Sequence, residues 1–481
     1  MNAHLPRLSR TSGSHKKTGI VHLGLGAFFR AHGAIYVKEA MEKSGGEWGI
    51  TGVSLMRPTQ RDLLRPQGFA YTALELTPAG NVSNVIDVLE DVLVAPENPL
   101  AVLEQMADPA VRIITLTVTE KGYCVESSTG ALDHSHADIE HDILNDLPRS
   151  APGFLVRALQ MRRAADIPPF TVLCCDNLPD NGKVVRGVVL SLAALIDPEL
   201  CDWIAKNCEF PSTMVDRIVP ATKQKDIDVL AEQTGVLDLS PVLHEPFRQW
   251  VIEDNFVNNE RPDFEAVGVQ MVSNIGPFED MKLRCLNGTH SSLAYLGFLA
   301  GYEAIYDTVS DTAFSRFCHR LWRDEIIPGL TAPEGVSLRE YADTLFDRYS
   351  NPAIRHLTAQ VAMDGSQKMP QRILNTIVEN IEAGRGSHGL ILAVAAWMRY
   401  VGGIDEQGQG IDVQDPLAER LFALSNGATG VSAKVDAILS VREIFPEALV
   451  QNDQFCSKLV SAYSDLSDIG AQASIEKLNA L

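Results

Sequence analysis

Thr18–Gly26 reads TGIVHLGLG, a short apolar run that ends in two glycines one residue apart. Its Ile20, Val21 and Leu23 suit a strand, and Gly24 and Gly26 suit a turn with no room for side chains. The following AFFRAHGAIYVKEAMEK spaces Phe28, Ala31, Ile35 and Met41 at roughly helical intervals. A strand, a Gly-x-Gly turn and a helix are the parts of a cradle for a dinucleotide phosphate, where backbone N–H groups and the positive helix end meet the pyrophosphate. Gly24, Gly26, Ala27 and Phe28 would line it here. The third position of the pattern is Phe29 rather than glycine, so the motif alone fits a plain tight turn equally well.

The segments beyond it extend the pattern. Trp48–Leu55 (WGITGVSL) predicts a second strand at the spacing a βαβ unit requires. An acidic residue at its end would bind the adenosine ribose of NAD, yet the chain runs Met56-Arg57-Pro58-Thr59. Arg57 is either a solvated loop charge or a neutraliser of a 2′-phosphate, so NAD is expected and NADP stays open. Phe69–Leu76 and Asn84–Leu89 read as strands, and Pro99–Ala107 reads as a helix. Arg112–Val118 (RIITLTV) is a β-branched run typical of a strand covered on both faces, and it leads into Thr119-Glu120. A helix at Gly153–Ala165, a strand at Phe170–Cys175 and a helix opening at Asn181 continue the alternation.

Ligands of doubly wound sheets sit beyond the carboxyl ends of the strands, which makes Glu120 and Asn177 candidate cofactor-binding residues. A turn-forming role for Asn177 fits as well. Between Pro198 and Pro277 no clean period emerges, and long loops against a sheet edge are expected there, with a strand at Glu265–Ser273. From Lys282 onward nearly every segment has helical spacing. The predicted organisation is a tail over residues 1–18, a Rossmann-type doubly wound α/β domain over 19–277, and an all-helical substrate-binding domain over 278–481.

Composition excludes several classes. The 481 residues carry 62 acidic against 41 basic side chains, a net charge of −21 that opposes non-specific binding to nucleic acid or anionic membrane. An anionic ligand would therefore need a local positive pocket. No apolar run approaches the roughly 20 residues that span a bilayer, and the basic N-terminus lacks the apolar core of a signal peptide. The eight cysteines form no CxxC pair, which suits buried thiols in a reducing cytoplasm. His134, His136 and His141 sit among charges typical of an exposed turn, and no metal-ligand spacing is evident.

The chemistry converges on Glu279–Tyr295, EDMKLRCLNGTHSSLAY. On an α-helix, Lys282, Asn287 and His290 fall within an arc of roughly 140°, with Glu279 on the same face. Leu283, Leu286 and Leu293 share that arc, so the face should be partly buried; an ordinary core-facing helix would read the same way. A buried lysine can take up and return a proton when its surroundings disfavour the ammonium form.

Six segments, in order, identify the chain as a member of a known family: IVHLGLGAFFRAH, TLTVTEKGYC, CDNLPDNG, TMVDRIVPAT, EPFRQWVIEDNF and MKLRCLNGTHSSLAYLG. They resemble the polyol-specific long-chain dehydrogenases, the mannitol dehydrogenase family, along nearly the whole length. The resemblance implies a two-domain, NAD(P)-dependent, metal-independent dehydrogenase acting on a sugar alcohol or sugar acid. Its Lys-x4-Asn-x2-His motif implies catalytic roles for Lys282, Asn287 and His290, and its Asp-Asn-Leu segment does so for Asn177. On that basis Lys282 is the expected acid/base, His290 orients it or binds substrate, and Asn177 and Asn287 donate to the reacting oxygen. Glu279 would relay protons. Members tend to carry an arginine shortly before Asp-Gly-Ser, where this chain has Ala359-Gln360-Val361. A substrate carboxylate would then fall to Arg355, Lys368 or Arg372, since a guanidinium fork suits two carboxylate oxygens. The rival from another class is a nucleotide-bound metabolite sensor without turnover.

Overall fold

The computed structural model describes residues 4–10, 15–126 and 130–480. Contacts divide the chain into two compact units, Met1–Gly276 and Pro277–Leu481.

The first unit is built on five parallel strands: β1 (Thr18–Leu23), β2 (Gly49–Ser54), β3 (Leu89–Val94), β4 (Ile113–Leu116) and β5 (Thr171–Cys174). Their order across the sheet is β3-β2-β1-β4-β5, so the chain reverses its direction of winding between β1 and β4. The β2, β4 and β5 residues are all buried, as expected of strands covered on both faces, while the edge strand β3 alternates. Val21, Leu23, Ile114 and Val172 pack on the helices Ala151–Ala164 and Asn181–Ile196, and Ile20, Ile50, Ile113 and Leu173 pack with Gly33–Ser44 on the opposite face. This is the Rossmann-type doubly wound sheet that the alternation predicts.

Five local expectations are corrected. The helix after Gly26 is two helices, Ala27–Ala31 and Gly33–Ser44, broken at His32. There, the buried Arg217 donates to the Ala31 carbonyl (2.7 Å), and the His32 ring bonds the Gln249 carbonyl (2.9 Å). The strand expected at Asn84–Leu89 is divided: Val82–Ile86 pairs with Tyr71–Glu75, and Leu89 starts β3. Thr213–Asp216, Gln249–Glu253 and Gln270–Val272 form one small sheet, and Val242–His244 joins another, so the stretch expected to be long loops is largely ordered. It also holds the helices Pro198–Asn207 and Gln224–Thr234; Gly268, at φ +88°, cuts the strand expected at Glu265–Ser273 down to its second half. Finally, part of the expected tail is pinned: Leu8 is buried and hydrogen-bonded to Leu237, and Arg10 reaches the Leu89 carbonyl and Glu90.

Phe29 explains the missing third glycine. Its ring lies flat on the His22 imidazole of β1, with centroids 3.4 Å apart and planes 7° from parallel. Stacked flat rings let helix and strand stay close without a glycine at 29. Gly33 supplies the room instead, because a Cβ there would stand 2.6 Å from the Phe29 ring.

The second unit is helical throughout its strand-free length, and its centre is the helix His388–Val401, almost wholly buried. No helix among the described residues is long and apolar enough to cross a membrane.

Burial holds His22 and His32 down to a pKa of about 3 and His244 to about 4, against 6.5 for the free side chain. All three are neutral in the fold and take up protons on unfolding. Their contribution is therefore complete above pH 6.5 and is lost as pH falls toward 4. Each should add up to about 1.4 kcal/mol of lost stability per pH unit in that window. His22→Gln should flatten the fall in urea-unfolding free energy between pH 6.5 and 4.5 by about that slope. An unchanged slope would mean His22 is not held neutral.

Candidate active site

In the first unit the polar residues gather where β1, β2, β4 and β5 end. Gly24, at φ +88°, has a backbone conformation that side-chain-bearing residues rarely adopt, and a Cβ there would lie 2.3 Å from the Thr117 carbonyl. Gly26 differs: its Cβ direction meets nothing nearer than the Gly24 carbonyl at 3.7 Å. One glycine thus closes β1 against the end of β4, and the other opens space in front of the Ala27–Ala31 helix. Such an open glycine lets a pyrophosphate approach the backbone, so the turn fits a dinucleotide. Ala27 and Phe28 are half-buried beside it, and Arg57, Glu120 and Asn177 are exposed after β2, β4 and β5. All seven residues singled out from the sequence lie at carboxyl ends of neighbouring strands, where doubly wound sheets bind ligands.

Asp176 is the residue the sequence reading missed here. Its carboxylate accepts from the Val118 and Thr119 amides (2.9 and 3.0 Å) and from the Tyr123 hydroxyl (2.6 Å), tying the loop after β4 to the end of β5. Burial pushes its carboxyl above the usual range against the pull of those donors. An aspartate directly before Asn177 at a strand end was the available signal. Of the expected histidine turn, His136 accepts from the Asp138 amide to cap the helix Ala137–Leu144, and His141 pairs with the buried Asp142. Among the described residues no three His, Cys, Asp or Glu side chains are grouped to hold a metal.

In the second unit the Glu279–Tyr295 stretch departs from a uniform α-helix. Gly276–Met281 and Thr289–Leu299 are α-helical, and between them Lys282–Gly288 forms a π-helical turn. This looser turn bonds to the residue five along rather than four. Lys282 and Asn287, five apart, therefore come closer to a common face than α-helical geometry allows. The wide turn is held from outside: Trp322 donates to the Cys285 carbonyl (3.0 Å) and Tyr349 to the Leu286 carbonyl (2.8 Å). Gly288 closes it against a second π-helical turn, Pro370–Leu374, since a Cβ there would stand 2.6 Å from the Arg372 carbonyl. A glycine inside a helical pattern was the one sequence hint of this contact.

Lys282 and His290 are both only 8% exposed, while Asn287 and Glu279 are half-buried. The Nε2 of His290 is buried without a hydrogen-bond partner, and its ring packs on Tyr349 (centroids 5.2 Å) and edge-on to His356 (4.8 Å). Burial, with the nearby charges of Arg372, Arg348 and Lys368, holds His290 far below its ordinary pKa, so it is a neutral imidazole in cationic surroundings. Arg372 donates to the Ser291 hydroxyl (3.1 Å), and Lys368 donates to the Met363 carbonyl. Of the three candidates for carboxylate binding, Lys368 and Arg372 act on His290; Arg355 is turned outward, 60% exposed and ion-paired to Glu303. Arg348, buried in the helix Leu338–Tyr349, joins them unforeseen.

Residues 18–266 match the mannitol dehydrogenase Rossmann domain, and residues 274–467 match the mannitol dehydrogenase C-terminal domain. The chain belongs to the mannitol dehydrogenase family. It is an oxidoreductase of that family, a dehydrogenase with a Rossmann sheet domain followed by a helical one. It is 44% identical to the D-mannonate oxidoreductase of Escherichia coli, over 99% of each chain. It is 39% identical to the mannitol 2-dehydrogenase of Phaeosphaeria nodorum, over 95% of this chain and 81% of that enzyme. The solved mannitol 2-dehydrogenase of Pseudomonas fluorescens, a ternary complex with NAD and D-mannitol, superposes with a TM-score of 0.86 at 38% identity, covering 99% of this chain and 97% of that one.

Removing the Tyr349 hydroxyl leaves the Leu286 carbonyl short of a buried donor, a loss of about 1–2 kcal/mol. Tyr349→Phe should lower the unfolding free energy by that amount while nucleotide affinity stays unchanged. Wild-type stability would show that the bond does not support the turn.

Proposed function

We propose that the chain interconverts D-mannonate and D-fructuronate by hydride transfer with NAD, without a metal. The observation that carries this reading is the setting of His290, a neutral imidazole that feels the positive charges of Arg372, Arg348 and Lys368 in a protein of net charge −21. Such local positive charge suits a carboxylate-bearing substrate better than an uncharged polyol. The 44% identity to a D-mannonate oxidoreductase supports the same choice.

In this reading Lys282 takes the hydroxyl proton as the alcohol is oxidised and returns it when the carbonyl is reduced. Its near-complete burial means that the proton must leave through a neighbour, and Glu279, one helical turn earlier, is assigned that relay. Asn287 donates its amide to the oxygen as negative charge grows, an interaction that is strongest in the transition state. His290, being uncharged, donates or accepts a hydrogen bond and does not compete with Lys282 for the role of acid. When bound, the nicotinamide supplies or accepts the hydride. Gly24, Gly26, Ala27, Phe28, Arg57, Glu120 and Asn177 are assigned to the nucleotide edge of the first unit. Lys282, His290, Lys368 and Arg372 are assigned to substrate, and Arg355 is withdrawn because it is paired at the surface.

Purified protein with NADH should reduce D-fructuronate in preference to D-tagaturonate and D-fructose, followed by loss of nicotinamide absorbance. Preference for fructose would move the reading to a mannitol 2-dehydrogenase, and nucleotide binding with no turnover would favour a sensor. Lys282→Ala should lower kcat by about 10²–10⁴-fold with cofactor binding retained; near-normal turnover would remove its role. Arg372→Ala should raise KM for D-mannonate far more than for mannitol. Equal losses on both substrates would count against carboxylate recognition.

A further inference from the structure

The pair of imidazoles in the second unit has more hydrogen-bonding capacity than the fold uses. His356 stands edge-on to His290, with centroids 4.8 Å apart, and its Nδ1 is buried without a partner, as is the Nε2 of His290. An unmet buried polar atom typically costs about 1–3 kcal/mol, so two on touching rings mark a place built for a ligand. The backbone around His356 is held firmly. Its carbonyl accepts from the Ile305 amide (2.9 Å), its amide donates to the Ile354 carbonyl (3.1 Å), and Leu357 bridges to Ala304. The ring is therefore presented by fixed backbone rather than by a free loop.

The chemistry of the pair defines what it takes. Burial lowers the pKa of both rings, and neighbouring cations add to the effect, so both are neutral. A neutral imidazole offers one donor and one acceptor, which matches a hydroxyl; a carboxylate, which only accepts, suits the guanidinium and ammonium groups of Arg348, Arg372 and Lys368. In D-mannonate the reacting carbon and the carboxylate lie toward opposite ends of the carbon chain, with hydroxyls between them.

We propose that His356 is a substrate-specificity residue whose Nδ1, together with the Nε2 of His290, hydrogen-bonds hydroxyls of an open-chain polyhydroxy carboxylate and reads their configuration. The inference rests on the sugar-acid reading above and adds to it the residue that distinguishes one epimer from another.

The test compares D-fructuronate with its epimer D-tagaturonate in steady-state kinetics of the full chain with NADH. His356→Phe keeps a ring but removes both nitrogens. KM for D-fructuronate should rise about 10–100-fold with kcat nearly unchanged, and the preference between epimers should shrink about tenfold. His356→Asn, whose amide can occupy the Nδ1 position, should keep both near wild type, whereas His356→Gln, with its amide one carbon farther out, should lose them. This Asn–Gln comparison decides the matter even if the Phe variant fails to fold. Unchanged KM and epimer ratio in folded His356→Phe, or equal effects of Asn and Gln, would overturn the role of His356 while leaving the sugar-acid reading standing. A wild-type enzyme that reduces neither acid would overturn both.

Discussion

A helix that widens to a π turn exposes its carbonyls to one side, and those at Lys282–Gly288 are met by groups from two other helices. Trp322 and Tyr349 reach the Cys285 and Leu286 carbonyls. Without such donors a buried wide turn would tighten to the α form, and the relation between Lys282 and Asn287 would change with it. Tyr349 does a second thing, since its ring also packs on His290. One side chain therefore ties the shape of the turn to the orientation of the imidazole. The Gly288 contact with the Arg372 carbonyl couples the same turn to the segment that carries Lys368 and Arg372.

Electrostatics in this unit run against the sign of the whole chain. With 62 acidic and 41 basic residues, most of the surface repels anions. Arg348, Lys368 and Arg372 bring positive charge to bear on His290, and Lys368 also on His356, two imidazoles that burial keeps neutral. Neutral rings in a cationic setting separate two tasks, hydroxyl recognition and charge recognition, that protonated histidines would blur. The first unit obeys a different constraint. In a parallel sheet the backbone groups at strand ends must find partners, and Asp176 answers for two amides of the loop after β4. At the same edge Gly26 keeps open space, its Cβ direction meeting nothing nearer than the Gly24 carbonyl at 3.7 Å.

Much of the fold was legible in the residues themselves. The β-branched run at β4, the apolar segments at β1 and β5 and the helical periods between them imply a doubly wound parallel sheet, because such strands must be covered on both faces. The Gly24–Gly26 pair marks the tight turn, since only glycine tolerates the Gly24 conformation and its contact with Thr117. The irregular stretch after Pro198 was not legible. Its strands are three to five residues long, too short for a period to show, and they exist because they pair with partners distant in sequence.

The sequence alone determined which chemical groups are available: an amine, an amide and an imidazole at fixed spacing, two glycines after a buried strand, and six ordered segments of one family. Only the tertiary structure decided how they are used. The π turn has no propensity signature, because it depends on donors supplied by Trp322 and Tyr349. Arg355 and Arg372 are equal as letters, yet one is spent on Glu303 at the surface and the other donates to Ser291, where its charge acts on His290. His356 is unremarkable in the string and becomes a partner of His290 only through packing. Local sequence sets covalent chemistry and backbone preference, whereas burial and charge are sums over neighbours that the chain brings together only when it folds.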